Sequence, residues 1–271
     1  MARSEARSTK VTDAESHVSG IPALVYCVYV EIVKMLRIPQ FAFFSLIFPV
    51  LLFAMFGLPN VGDSVNQTTT AGQFMMASFG TYAVMAVGLF TFGVAIASER
   101  GMGWNRLLRA TPLPSITHLL SKVVMAGLFG LATLGLLFLF GGLVGHIPMS
   151  LERWAALTGL LLVGMVPFVA LGLWLGYFAG PNSAVAIVNL IYLPLAFASG
   201  LFVPLPNLPK IVQVVAPYLP SYHIAELGWT LLGAGDAAGQ LNHLLWLAGY
   251  TVLFLGLAVV AYRRDEGITF G

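Results

Sequence analysis

Five long stretches of the chain carry no Asp, Glu, Lys or Arg: residues 38–62, 64–98, 123–151, 154–209 and 237–262. A helix needs roughly 20 apolar residues to cross the hydrocarbon core of a bilayer. Each stretch is long enough, and the fourth has room for two crossings. The pattern predicts six spans, at about 39–58, 73–97, 119–145, 155–179, 183–203 and 242–262. The fourth stretch divides at Gly180-Pro181-Asn182, because proline cannot continue a helix and the glycine before it permits a turn. The sequence shows no succession of ten-residue alternating strands, the mark of a membrane barrel. The expected fold class is therefore an all-α polytopic membrane protein with six transmembrane helices in a domain of residues 38–262.

Two segments fit no span. From Ile21 to Arg37, apolar Leu24, Val25, Val28, Ile32, Met35 and Leu36 are interrupted by Glu31, Lys34 and Arg37. This reads as an amphipathic helix over 21–37 lying in the interface, with Pro39 bending the chain before span one. The connection 203–241 is broken by Pro204, Pro206, Pro209, Pro217 and Pro220. Its apolar pieces, 208–215 and 222–232, are too short to cross and suit re-entrant or interfacial helices between spans five and six. Tyr218, Tyr222 and Trp229 fit an interfacial aromatic belt. Glu226 reads either as a functional carboxylate near membrane depth or as a surface residue.

Composition sharpens this picture. Only 9% of the 271 residues are charged and 58% are hydrophobic, against roughly 25% charged in soluble domains. The mean hydropathy is +0.88. A soluble fold of this length could not hide so much apolar surface, which excludes a soluble enzyme, a disordered chain and a nucleic-acid binder. The single Cys27 excludes a disulfide framework and a cysteine metal site. With the N-terminus inside, 11 Lys and Arg fall on inside segments and 2, Arg153 and Lys210, fall outside. That split follows the positive-inside rule, so both termini are expected in the cytoplasm. Residues 1–20 lack the apolar core of a signal peptide and read as a flexible cytoplasmic tail. Residues 263–271 form the cytoplasmic C-terminal end.

Catalytic chemistry is not evident. His17, His118, His146, His223 and His243 are scattered, and HExxH, GxSxG and P-loop motifs are absent from the sequence. No Asp, Glu, Lys or Arg falls near the centre of a span, which argues against a proton-coupled pump and against a channel lined by charged rings. Neither a metal site nor a bound cofactor is expected. Among uncharged polar residues, span Ser and Thr mostly bond back to their own helix, whereas Asn189 wants a partner across a helix interface or a watery cavity. Gly172, Gly176 and Gly180, and Gly141 with Gly145, form small-residue stripes suited to packing within one bundle. The connection 98–122 carries four of the inside positive charges and an amphipathic turn, Arg106-Leu107-Leu108-Arg109. It could dock in a partner's groove or sit on anionic lipid.

The segment ERGMGWNRLLRATPLP, from Glu99 to Pro114, resembles that of bacterial ABC-2-type transporter permeases: Glu-Arg, a Gly, Arg-Leu and Thr-Pro. The elbow helix, six spans, Pro-broken connection and basic YRRDEG end extend the resemblance over nearly the whole chain. It implies a permease that pairs with a second permease subunit, as a homodimer or a close heterodimer, and joins two copies of an ABC ATPase. ATP and Mg would be bound by that partner and none by this chain. The resemblance places coupling on Glu99, Arg100, Gly101, Arg106, Leu107, Thr111 and Pro112, which favours partner docking for this loop. It puts the pathway around spans one, two and five at the dimer interface, near Thr81, Asn189 and Ser199. The expected activity is export of a drug, antibiotic or lipid across a bacterial inner membrane. A permease for polysaccharide or lipid-linked glycan and a self-standing channel are the alternatives.

Overall fold

The computed structural model describes residues 21–37, 43–103 and 115–269. Their regular elements are all helices, with no strand among the described residues. In chain order the helices are α1 (Ile21–Leu36), α2 (Ser45–Asn60), α3 (Ala71–Gly101), α4 (Ser115–Leu143) and α5 (Leu151–Phe178). They continue as α6 (Ala184–Ala198), α7 (Lys210–Val215), α8 (Pro220–Leu231) and α9 (Gln240–Thr269). The tail 1–20 and the start of the expected first span lie outside the described residues.

Among the described residues, four helices are long and apolar enough to cross a bilayer: α3, α4, α5 and α9. The first and fifth expected spans correspond to shorter apolar helices, α2 and α6. At 1.5 Å per residue, α6 runs to roughly 22 Å, short of the ~30 Å hydrocarbon core.

Local chemistry explains where α3 starts and stops. Thr70 and Gln73 form a reciprocal capping box, in which the Gln73 N–H donates to Thr70 Oγ1 at 3.3 Å and the Thr70 N–H donates to Gln73 Oε1 at 3.1 Å. Past the other end, Gly103 takes φ +71°, the left-handed conformation that glycine adopts without steric cost. Pro167 lies at the start of the second half of α5 and breaks its ladder at Met165. Beyond Phe178 the chain turns through Gly180, Pro181 and Asn182 before α6 begins.

The bundle is built around α3, whose most apolar stretch is entirely buried. Packed against it are α2, α4, α5, α6 and α8. Glycines make the closest approach possible. A Cβ on Gly172 would lie 2.7 Å from the Gly88 carbonyl oxygen, and one on Gly176 would lie 2.6 Å from that of Phe92. Gly180 is different: its Cβ would meet only Ser183 Oγ, at 3.4 Å.

By contrast, α9 lies along α5 and α8 with only 11% of its apolar stretch buried. α8 is too short to cross. Its Pro220, His223, Ile224, Leu227 and Trp229 are nevertheless buried, and Trp229 stacks on Phe74 with ring centroids 4.6 Å apart. The loop before α3 is tied to the end of α8 by Thr69 Oγ1 donating to Leu232 O at 2.7 Å and Asn66 Nδ2 donating to Gly233 O at 2.8 Å.

Candidate functional site

One end of the bundle gathers the charges that the sequence scatters. Glu99 closes α3 there and is 4% exposed. Lys122, near the start of α4 and 2% exposed, donates to Glu99 Oε1 at 2.6 Å and to both carboxylate oxygens of Glu31 at 3.1 Å. Glu31 comes from α1 and is also 4% exposed. Lys34, one turn further along α1, bonds Glu99 and lies 2.7 Å from Glu31 Oε2. Burial works against the Lys34 charge, but Glu99 and Glu31 outweigh it and its pKa stands above the ordinary lysine value. His118 sits between the carboxylates, 3.9 Å from Glu31 and 3.7 Å from Glu99.

Glu31, Glu99 and His118 together offer donor atoms within 4.8 Å of one another. The two lysine ammoniums already lie on those carboxylates, so the protein itself supplies the balancing positive charge. Two carboxylates and two ammoniums leave no net charge when His118 is neutral. Such a cluster resists separation, because removing one partner strands a buried charge.

Arg100, the next residue, turns the other way. Its Nη1 donates to the carbonyls of Gly176 at 2.8 Å, Tyr177 at 3.0 Å and Ala179 at 3.3 Å. The last carbonyls of a helix have no partner within it, so Arg100 caps the end of α5. Its Nε donates to Asp265 Oδ2 at 3.1 Å, and Nη2 bonds the other oxygen of the same carboxylate, on α9. The guanidinium lies 5.6 Å from the centroid of the Tyr177 ring. Gly101 completes the set: a Cβ there would come within 2.7 Å of Pro181 in the α5–α6 turn.

Of the seven residues assigned to coupling, Glu99, Arg100 and Gly101 thus meet at the root of the 104–114 segment, with Glu99 and Arg100 turned into the bundle and Gly101 exposed against Pro181. Arg106, Leu107, Thr111 and Pro112 lie outside the described residues.

Each of the three residues assigned to the pathway already has a bonding partner within the chain. Thr81 is buried and donates to Ala77 O at 2.8 Å within α3. Asn189 donates to Val185 O at 2.9 Å within α6. Ser199 is buried against Ser221. Glu226 accepts the Asp236 N–H at 2.9 Å and holds the turn before α9.

Sequence reasoning missed a second polar constellation. His223 on α8 and His243 on α9 meet with Nδ1 atoms 2.8 Å apart. Burial, and His243 behind it, push His223 from the ordinary 6.5 down to about 4. Its ring stacks on Trp246 at 5.3 Å, and Tyr250 and Phe254 continue the row of rings along α9.

Comparison with known proteins places the chain in a family. The profile of the ABC-2 family transporter proteins matches residues 59–260. The chain belongs to the ABC-2 family. A protein of Bacillus subtilis (strain 168) named "Putative transport permease YvfS" is 29% identical over 239 residues, which is 88% of this chain and 96% of its own. ABC-2 permeases are membrane subunits of ABC transporters and work with ATPase subunits. The buried charges at the end of α3 therefore lie in an ABC-2 membrane protein, at the root of the segment that resembles those permeases.

Proposed function

We propose that the chain is the transmembrane subunit of an ATP-driven exporter in a bacterial plasma membrane. Six crossings, with α2 and α6 completing the four long helices, leave both termini in the cytoplasm. α1 then lies at the inner interface and α8 is re-entrant from the outer side. Two copies pair, and two ATPase subunits dock on the segment from Glu99 to Pro112. ATP and Mg belong to those ATPases. The observation that carries this reading is the anchoring of the segment's root. Glu99 and Arg100 are bonded to α1, α4, α5 and α9, so a pull there reaches helices throughout the bundle.

The cargo is an amphipathic compound such as a drug, antibiotic or lipid, moved between copies near spans one, two and five. Charge-poor helices suit such a molecule, since a membrane-buried charge is costly to hold without a counterpart.

A glycan or lipid-linked glycan is the second reading. It is favoured by the rings of Trp246, Tyr250 and Phe254, a stacking surface of the kind that sugar faces use. The row follows α9 rather than the proposed pathway, so the amphipathic cargo is preferred.

Arg106→Glu tests the docking. Reversing this charge on the docking segment is expected to abolish co-purification of the ATPase while leaving yield and melting temperature unchanged. Recovery of the ATPase at wild-type strength counts against the assignment. Flux through the purified chain reconstituted without ATP or partner would instead establish a self-standing channel.

A further inference from the structure

Three consecutive residues, Glu99, Arg100 and Gly101, touch four other helices and one turn, and they divide these between two sides. Neighbours on a helix point about 100° apart, so Glu99 and Arg100 cannot serve the same side. Glu99 reaches Lys34 on α1 and Lys122 on α4, and Lys122 passes the link on to Glu31 of α1. Arg100 reaches the last carbonyls of α5 and Asp265 on α9. Gly101 lies against Pro181.

We infer that this tripeptide is a branch point that carries movement of the end of α3 along two separable arms, one to α1 and α4, the other to α5 and α9. Glu31, Lys34, Lys122 and Asp265 are then positioning residues for transport. The inference rests on the permease reading above and specifies what the docked ATPase moves.

Each arm suits this task for a physical reason. On the first, three of the four ionic groups are almost fully buried, so parting them strands an unpaired charge and the cluster moves as one body. On the second, the planar fork of Arg100 holds one carboxylate with two nitrogens and three carbonyls with a third. That fixes direction as well as distance, which a lysine could not do. Along this arm α5 packs closely on α9, so the two shift together.

The test uses full-length chain in complex with its ATPase, in a Cys27→Ser background. Spin labels at exposed Tyr29 on α1 and Val260 on α9 are each measured against exposed Leu151 at the opposite end of the bundle. Distances are recorded with and without magnesium and a non-hydrolysable ATP analogue. In the unsubstituted complex both distances are expected to shift.

The paired change Glu31→Gln with Lys34→Gln removes one charge of each sign and leaves Lys122 bonded to Glu99. It should abolish the shift at position 29 and keep the one at 260. Asp265→Asn, at a partly exposed site, should shrink the shift at 260 to the part that α5 still carries through its packing on α9, and keep the one at 29. ATPase binding and melting temperature should stay at the level of the unsubstituted complex in both. Should the paired variant not assemble, Asp265→Asn alone decides.

Retained binding with both shifts intact overturns the branch point. Loss of both shifts in either variant overturns its division into two arms. An unsubstituted chain that never retains an ATPase overturns the permease reading and the branch point with it.

Discussion

His223 shows how one side chain records its surroundings. It is 1% exposed, stacked on Trp246 and held against His243, with the Tyr222 and Tyr250 rings also facing it. Its folded-state pKa of about 4 lies below the ordinary 6.5. Between those values the unfolded chain binds more protons than the folded one, so stability rises with pH in that window. The contribution is complete above about 6.5 and is lost as pH falls towards about 4. Melting temperature in detergent is therefore expected to fall from pH 7 to pH 5, and His223→Gln should flatten that dependence. An equal fall in the variant would remove His223 as the cause. The pair could not be seen in the sequence, because its members are twenty residues apart on different helices and no regular spacing joins them. The hydroxyls were easier to read: Thr81, Thr133, Thr158 and Thr251 each donate to a carbonyl four residues back, as residues of this type do inside apolar helices.

Among the elements, α1 differs most in meaning from its sequence pattern. Glu31 and Lys34 read as interruptions that keep the segment out of the membrane, yet both point into the bundle and meet residues 65 to 91 positions away. Periodicity within one helix cannot report a partner on another. A clue was present: Glu31 and Lys34 are one turn apart and share their face with Met35, which is 1% exposed. The energetics of the cluster can be measured. Lys122→Met leaves Glu31 and Glu99 facing each other and is expected to cost about 3 kcal/mol or more. Adding Glu99→Gln leaves Glu31 paired with Lys34, so the double variant should be more stable than the sum of the single effects. Strict additivity in a double-mutant cycle, followed by thermal unfolding in detergent, would show that the charges do not act as a unit. The long apolar helices, by contrast, were legible as charge-free stretches divided by a proline after Gly180, while the capping box at Thr70 and the left-handed Gly103 that bound α3 emerged only in the structure.

For the molecule as a whole, the layout of charge along the chain gives an orientation that can be checked directly. Ser64 is exposed in the loop before α3, and Gly103 lies just beyond the other end of that helix. With 31 residues between the helix ends, the two sites are roughly 46 Å apart along the axis. In a Cys27→Ser background, a cysteine at position 64 should react with an impermeant maleimide added outside cells. One at position 103 should react only after the membrane is opened, and the reverse result would invert the topology. The enclosure of α3 also bears on synthesis. The Ser78 hydroxyl receives the Trp229 indole N–H, from a residue 151 positions later in the chain. At about 5–20 residues per second, the ribosome needs on the order of ten seconds to deliver it. During that wait α3 must sit in the translocon or in lipid without its final neighbours. Its Ser78 and Thr81 hydroxyls keep their own donors satisfied meanwhile by bonding back to Phe74 and Ala77, and the last helices to emerge complete the casing around it.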